Sequence, residues 1–329
     1  MKKIGVNGFG RIGRYFTRIS LENPNIDVAV VNDIFDIKTL FHLFKYDSVH
    51  GKLEKEISLK DNKIILSNGK EIEFISVKDP EKIKWSDYGV DIVLESTGKF
   101  RTKEEVSKHL IGGAKKIILS SPSKDSSLKT IVLGVNDEKI LETDILISNA
   151  SCTTNSAAPM IKVMKELCEI KSAFITTVHS YTTDQQLHDA PHVDLRRARA
   201  AAESIVPTTT GAAKALTKIF PELNYHIGGC GIRVPVPNGS MTDLTFVVSN
   251  PPSEYEINQA MKFASENDLK DILAYTSDPI VSIDIIGESY SCIFDSLLTS
   301  VIGNMVKVVG WYDNESGYSN RLIDLAEKI

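Results

Sequence analysis

No two cysteines in this chain are spaced as CxxC, and the four present, Cys152, Cys168, Cys230 and Cys292, are scattered over 329 residues. That scarcity argues against a disulfide scaffold or a zinc cluster and predicts a reducing cytoplasm and no metal. No apolar run approaches the roughly 18 residues needed to cross a bilayer, so no membrane association is expected. No Lys/Arg block forms a polybasic patch. The 38 basic against 43 acidic residues leave a net charge of −5, which disfavours nucleic acid as a partner. Residues 1–6 enter a strand-like run at once, without the apolar core and cleavage site of a secretory leader, which again predicts a cytoplasmic protein. There is no internal repeat and no low-complexity tract. What is there is ordinary for a folded chain, 42% hydrophobic and 25% charged. At about 150 residues per domain the length predicts two domains.

The texture of the chain changes near residue 150. Before it, short Val/Ile-rich runs at 3–7, 27–32, 91–95, 116–120 and 145–148 alternate with helical stretches such as 11–21, where Ile12, Tyr15, Phe16 and Ile19 share one face. The runs show little period-two alternation, as expected of a parallel sheet covered on both faces. This pattern predicts an α/β, doubly wound Rossmann-type domain over 1–150. Within it, residues 57–77 read as a hairpin turning at Asn68-Gly69. After residue 150, helices at 153–168 and 211–220 mix with longer strands at 173–179, 242–249, 282–286 and 306–312. That mixture predicts an α+β second domain with a mainly antiparallel sheet. An amphipathic helix at 316–329 closes the chain.

Gly8-Phe9-Gly10-Arg11-Ile12-Gly13 fits GxGxxG between a strand and a helix. The first glycine permits a tight turn, the second lets a pyrophosphate approach the backbone, and the third lets helix and strand pack closely. The next strand ends at Asp33, 20 residues after Gly13, where a carboxylate can bond an adenosine ribose 2′-hydroxyl and repel a 2′-phosphate. NAD is therefore the expected cofactor.

Ser148-Asn149-Ala150-Ser151-Cys152-Thr153-Thr154-Asn155 leaves a strand and enters a helix. Cys152 sits at the helix N-terminus, where the dipole and free N–H groups favour a thiolate. Position alone leaves it equally a nucleophile or a structural cysteine. Of the seven histidines, His179 ends a strand, where sites in such domains are often built, but spacing alone does not bring it to Cys152. Three arginines fall within 194–199, a stretch that taken alone reads more readily as a solvated basic face. Thr208-Thr209-Thr210-Gly211 opens a helix and offers a hydroxyl and N–H groups to an anion, and Arg233 is a candidate second clamp. Together these suggest a substrate carrying phosphate, or two phosphate sites.

The motifs 7–14, 148–155, 177–182 (Thr-Val-His-Ser-Tyr-Thr), 210–214 (Thr-Gly-Ala-Ala-Lys) and 311–315 (Trp-Tyr-Asp-Asn-Glu) resemble, over the whole chain, phosphorylating glyceraldehyde-3-phosphate dehydrogenases of bacterial type. The resemblance implies oxidation of D-glyceraldehyde 3-phosphate to 1,3-bisphosphoglycerate in glycolysis and gluconeogenesis. Cys152 would attack the aldehyde, and His179 would pair with it and take the hydroxyl proton. Hydride transfer to the nicotinamide would leave a thioester, which inorganic phosphate cleaves. Thr182 and Arg233 would hold the substrate phosphate. Ser151, Thr153, Thr210 and Gly211, with Arg197 of the arginine run, would hold the attacking phosphate. Gly8, Gly10, Arg11, Ile12, Asp33, Lys78, Ser120 and Asn314 would contact the dinucleotide, Asn314 through the carboxamide. The resemblance also implies a homotetramer, with the 180–202 loop reaching a neighbouring subunit. It returns the final helix, 315–329, to the first domain and leaves 151–314 as the catalytic domain.

Three departures stand out: Ser156 where many members carry a second cysteine, Lys78 where many bacterial members carry Arg, and Ala190 where NAD-selective members often carry Leu. The nearest rival reading is an erythrose-4-phosphate dehydrogenase using water as acyl acceptor, a sister family that usually lacks the Thr-Gly-Ala-Ala pattern intact at 210–213. A rival of another class is an RNA- or protein-binding module, which the charge and the Cys152/His179/Arg233 set reduce to a secondary role.

Overall fold

The βαβ opening builds a nine-stranded sheet. Across it lie Lys129–Thr130, Leu146–Ser148, Lys116–Leu119, Ile92–Glu95, Lys2–Asn7, Ile26–Asn32, Glu71–Ile75, Lys63–Leu66 and Ile57–Lys60. The first seven are mutually parallel and the last two pairings are antiparallel, so only Lys63–Leu66 runs against the rest. Ile4, Val6, Val28, Val30, Val31, Val93, Leu94, Ile117 and Ile118 are buried on both faces, which is why these strands read as runs rather than alternations. Strand order reverses at Lys2–Asn7: the chain leaves it to Ile26–Asn32 on one side and later fills Ile92–Glu95 on the other. In doubly wound sheets ligands bind in the crevice beyond the carboxyl ends at such a switch point.

The computed structural model describes all residues, Met1–Ile329, and the chain falls into two units. The first comprises Met1–Ile131, Glu138–Ala150 and Ser319–Ile329; the second comprises Val132–Asp137 and Ser151–Tyr318. The segment expected as one hairpin holds two. Asn68-Gly69 turns Lys63–Leu66 into Glu71–Ile75, with Gly69 at φ +83°, and Asp61-Asn62, both at positive φ, turns Ile57–Lys60 into Lys63–Leu66. The final helix, Ser316–Lys328, ends within the first unit. There Lys2 Nζ donates to Glu327 O at 2.8 Å and Asn23 Nδ2 to Glu327 Oε1 at 2.8 Å, while Leu322, Leu325 and Ala326 are buried.

In the second unit an eight-stranded sheet runs Val206–Thr208, Ile227–Val234, Ile170–Ser180, Ser240–Val248, Met305–Tyr312, Cys292–Asp295 and Leu273–Thr276, with Ser300–Ile302 added beside Met305–Tyr312. Five of its seven pairings are antiparallel, so this α/β chain carries the mainly antiparallel second sheet that was expected. Cys152–Leu167 packs on this sheet, close enough that a Cβ on Gly310 would stand 2.3 Å from Cys292 Sγ and 3.1 Å from Met160.

One expected strand is absent. Residues 282–286 form turns. Asp284 accepts the Val281 N–H at 2.8 Å, Asp284 N and Ile286 N bond back three residues, and Gly287 exits at φ +89°. Local i→i+3 bonding satisfies the backbone that a strand would have given to a ladder. The helix Glu254–Glu266, opened by a Ser253/Glu256 capping box, and the strand Ile227–Val234 were not foreseen.

Candidate active site

The glycine turn of the first unit is built as its spacing requires. Gly8 lies at φ +96°, and a Cβ there would meet Thr97 N at 2.7 Å. A Cβ on Gly13 would meet the Gly8 carbonyl oxygen at 2.1 Å, whereas a Cβ on Gly10 would meet nothing within 4 Å. Two of these glycines are thus demanded by the protein's own packing and the third keeps space open. Gly10 caps the helix Arg11–Ser20 without a side-chain bond, leaving the N–H groups of its first turn as an anion site. The open side is a cavity of about 1030 Å³ lined by Gly8, Gly10, Asp33, Lys78, Thr97 and Phe100, among others. Asp33 Oδ2 accepts the Phe9 N–H at 2.7 Å and Oδ1 the Phe35 N–H at 3.0 Å, which fixes the carboxylate against the turn.

Of the other expected cofactor residues, Arg11, Ile12 and Ser120 do not line this cavity. The Arg11 guanidinium forks onto Asp47 at 2.5 and 3.0 Å, so its side chain is turned to Asp47. The Ser120 hydroxyl donates to Glu95 O at 3.0 Å.

The chemistry lies in the second unit. The chain leaves Leu146–Ser148, passes Ala150 in a left-handed conformation (φ 56°) and caps its next helix with Ser151, whose Oγ accepts from Thr154 N at 3.2 Å. Cys152 is the first helical residue. Its Sγ stands 3.6 Å from His179 Nε2. His179 lies opposite Arg233 in the parallel pairing of Ile170–Ser180 with Ile227–Val234. His179 Nδ1 is 2.7 Å from Ser180 O, and Arg233 Nη1, 2.6 Å from the same Nδ1, donates to Ser180 O at 2.9 Å. Nδ1 thus faces both an acceptor, Ser180 O, and a donor-only guanidinium, Arg233 Nη1, while Nε2 faces Cys152 Sγ; a neutral ring protonated at Nδ1 would turn its Nε2 lone pair to the thiol. Tyr312 Oη bridges Thr153 Oγ1 (2.9 Å) and Thr177 Oγ1 (2.8 Å), and its ring meets the His179 ring edge-on at 6.0 Å. Asn314 Oδ1 accepts from Ser180 Oγ at 2.9 Å and Ser240 Oγ at 2.8 Å, which orients its Nδ2 as the free donor.

The electrostatics correct one expectation. By surface Cys152 is half-buried, yet protein encloses the thiol. That burial pushes its pKa up, against the opposing pull of Arg233 and of the Thr153 and Cys152 N–H groups. The helix terminus alone does not deliver a standing thiolate, because desolvation of the anion outweighs it. Burial and, next, the Arg233 charge hold His179 down at about 3. The resting pair is a neutral thiol beside a neutral imidazole poised to accept its proton. Burial likewise raises the Tyr312 hydroxyl, which stays protonated, and pushes Cys292 up to about 12.

Arg197 is the enclosed member of the arginine run. It pairs with Asp184 and with Asp194 (3.3 Å) and donates to Thr209 O at 3.4 Å, and its charge is felt at His179 and Arg233. Arg199 instead pairs with Asp189. Thr210 Oγ1 accepts from Ala212 N at 3.2 Å, and a Cβ on Gly211 would meet nothing within 4 Å, so the start of the helix Ala212–Ile219 is open. Thr182 is half-buried, with its carbonyl taken by Gln185 N. Hydrogen bonds thus join Cys152, His179, Arg233 and Asn314 into one network through Ser180. They do not tie Thr182, Thr210 or Gly211 to it.

Compared with known proteins, residues 2–103 match the family description "Glyceraldehyde 3-phosphate dehydrogenase, NAD binding domain", and residues 151–314 match the corresponding C-terminal domain. The chain belongs to the glyceraldehyde-3-phosphate dehydrogenase family. It is 53% identical over 99% of its length to the glyceraldehyde-3-phosphate dehydrogenase of Geobacillus stearothermophilus, covering 98% of that protein. It is 51% identical to glyceraldehyde-3-phosphate dehydrogenase 1 of Bacillus subtilis over 99% of this chain and 98% of the relative, and 51% identical to the Thermotoga maritima enzyme over 100% and 99%. NAD is the cofactor of this family member, and the open Gly10 position with the fixed Asp33 carboxylate fits it. No helix is long and apolar enough to cross a membrane.

Proposed function

We propose that this chain is a glyceraldehyde-3-phosphate dehydrogenase that converts D-glyceraldehyde 3-phosphate, NAD and inorganic phosphate to 1,3-bisphosphoglycerate in the cytoplasm, as a homotetramer. The observation that carries the reading is the Cys152–His179 contact, with the second imidazole nitrogen held between Ser180 O and the Arg233 guanidinium. Nε2 takes the thiol proton as Sγ bonds to the aldehyde carbon, giving a hemithioacetal on Cys152. The imidazolium so formed returns its proton to the new oxyanion, and the neutral Nε2 then takes that proton back from the hydroxyl as the adduct is oxidised to a thioester. NAD, when bound, supplies the two-electron acceptor. Phosphate attack on the thioester carbon breaks the C–S bond and returns the thiolate, which His179 reprotonates.

In this reading Arg233 and Thr182 hold the substrate phosphate. Ser151, Thr153, Thr210, Gly211 and Arg197 serve the attacking one. Gly8, Gly10, Asp33, Lys78, Ser120 and the N–H groups of Arg11 and Ile12 hold the dinucleotide, and Asn314 Nδ2 its carboxamide. Residues 1–150 with 315–329 form the NAD-binding domain and 151–314 the catalytic domain. Two measurements test the assignment. Turnover should require phosphate, and stoichiometric iodoacetamide at neutral pH should label Cys152 with loss of activity. Label on Cys168, Cys230 or Cys292 with activity retained would refute the nucleophile, and turnover independent of phosphate would point to water as acceptor.

A further inference from the structure

Glu95, His109 and Trp85 are fully buried in the first unit, away from the reacting groups. Trp85 donates its indole N–H to His109 Nδ1 at 3.1 Å. Indole nitrogen can only donate, so Nδ1 is unprotonated, the ring is neutral, and Nε2–H must donate to Glu95 Oε2, 3.0 Å away. Asn7 Nδ2 donates to the same oxygen at 2.6 Å. Thr97 gives both its N–H, at 2.8 Å, and its hydroxyl to Oε1. Four donors therefore converge on one carboxylate that no cation neutralises. A buried anion of this kind is costly to keep and a poor device for stability alone.

The donors it fixes lead to the cofactor cavity. Asn7 passes the chain on: its Oδ1 accepts Asn32 Nδ2 at 2.7 Å, and Asn32 clasps Val77 through N–H (2.8 Å) and carbonyl (2.9 Å) bonds. Asn7, Asn32, Val77 and Thr97 all line the cavity, whereas Glu95 and His109 do not. Thr97 N is also the atom against which Gly8 is packed. We propose that Glu95, oriented by His109 and Trp85, is a positioning residue for NAD that fixes both walls of the cavity at once. Its Oε2 sets the Asn7–Asn32–Val77 side and its Oε1 sets the Thr97 side against the glycine turn. This rests on the reading of the cavity as the NAD site.

An amide cannot do the same. It offers one acceptor oxygen and turns an NH2 group either toward Asn7 and the locked His109 N–H or toward Thr97 N–H. Glu95→Gln should raise the Kd for NAD, measured by calorimetry on the full-length protein, by about tenfold or more. The KM values for aldehyde and phosphate should stay within about twofold. His109→Leu, which removes the donor, should raise the Kd at least about threefold. His109→Gln, which can both accept from Trp85 and donate to Glu95, should restore it, and this pair carries the test if Glu95→Gln does not fold. Parent-like NAD affinity in folded Glu95→Gln or in His109→Leu, or a parallel rise in all KM values, would overturn the proposal. Gly10→Ala, run alongside, separates the two levels. If it binds NAD as the parent does, the cavity assignment itself fails. If it binds weakly while Glu95→Gln does not, only the positioning role fails.

Discussion

Alanine placed in turn at the three glycines of the nucleotide turn should separate ligand space from packing space. At Gly10 the backbone (φ −73°, ψ −161°) accepts any residue and a Cβ meets no atom within 4 Å. Gly→Ala at a compatible site stabilises by about 0.4–1 kcal/mol through the unfolded chain, offset by the weaker capping of alanine, so the ligand-free protein should melt within a few degrees of the parent. The new methyl stands where a pyrophosphate would approach the first-turn N–H groups. Losing one charge-assisted bond costs about 1.5–3 kcal/mol, a Kd for NAD raised roughly ten- to 150-fold. Gly13→Ala is the reverse. Its Cβ would fall 2.1 Å from the Gly8 carbonyl oxygen, so strand and helix must separate, at a cost of about 1–3 kcal/mol before any ligand is added. Gly8→Ala adds a positive φ of 96° to a 2.7 Å clash and should destabilise at least as much. Thermal melts without ligand, followed by calorimetric titration with NAD, read both quantities. The reasoning fails if Gly10→Ala loses as much stability as Gly13→Ala, or if it binds NAD within twofold of the parent.

Three further outcomes are expected. His179 sits at about 3 in the fold against an unperturbed 6.5. The unfolded chain therefore binds the proton first, and stability is lost as pH falls from about 6.5 toward 3. At pH 4.5 the loss is about 2.7 kcal/mol, so the unfolding free energy of the parent should fall relative to His179→Asn by that order between pH 7.5 and 4.5, and a constant gap would contradict a buried neutral imidazole. Arg233→Ala should lower kcat/KM for the aldehyde by roughly ten- to a hundredfold, while Thr210→Val should chiefly raise the KM for phosphate; steady-state kinetics showing equal effects on both substrates would merge the two anion pockets. Asp33→Gly should collapse a preference for NAD over NADP that is at least about tenfold in the parent, whereas equal turnover of the two cofactors by the unmutated protein would show that another group neutralises the 2′-phosphate.

Where local chemistry dictates local geometry, the chain was readable. The glycine turn, the parallel strands buried on both faces, the Asn68-Gly69 hairpin and the placing of Cys152 at a helix start all follow from short stretches of sequence. The Asp61-Asn62 turn was missed because neither residue is glycine, although both tolerate positive φ. Residues 282–286 have strand composition, but Asp284 captures a backbone N–H that a ladder needs. The site was less legible because its geometry comes from register. His179 faces Arg233 only because two strands separated by 54 residues pair in parallel, and no spacing rule reports that. Tyr312 lay within a motif already noticed, yet its bridge between Thr153 and Thr177 is visible only in three dimensions. Charge was the poorest guide. The helix N-terminus suggested a thiolate, and enclosure of the same atom, which no sequence reports, reversed the direction.

The return of Ser319–Ile329 to the first unit has a bearing on how the protein is made. The nucleotide-binding sheet is drawn from the start of the chain, but Lys2, Asn23 and Asn25 wait for Glu327 as their partner. At about 5–20 residues per second, the ribosome delivers that helix roughly 15–65 seconds after the first strand. Until then the surface destined to cover Leu322, Leu325 and Ala326 lies open. Loss of only Ser319–Ile329 would therefore strike the unit that was begun first.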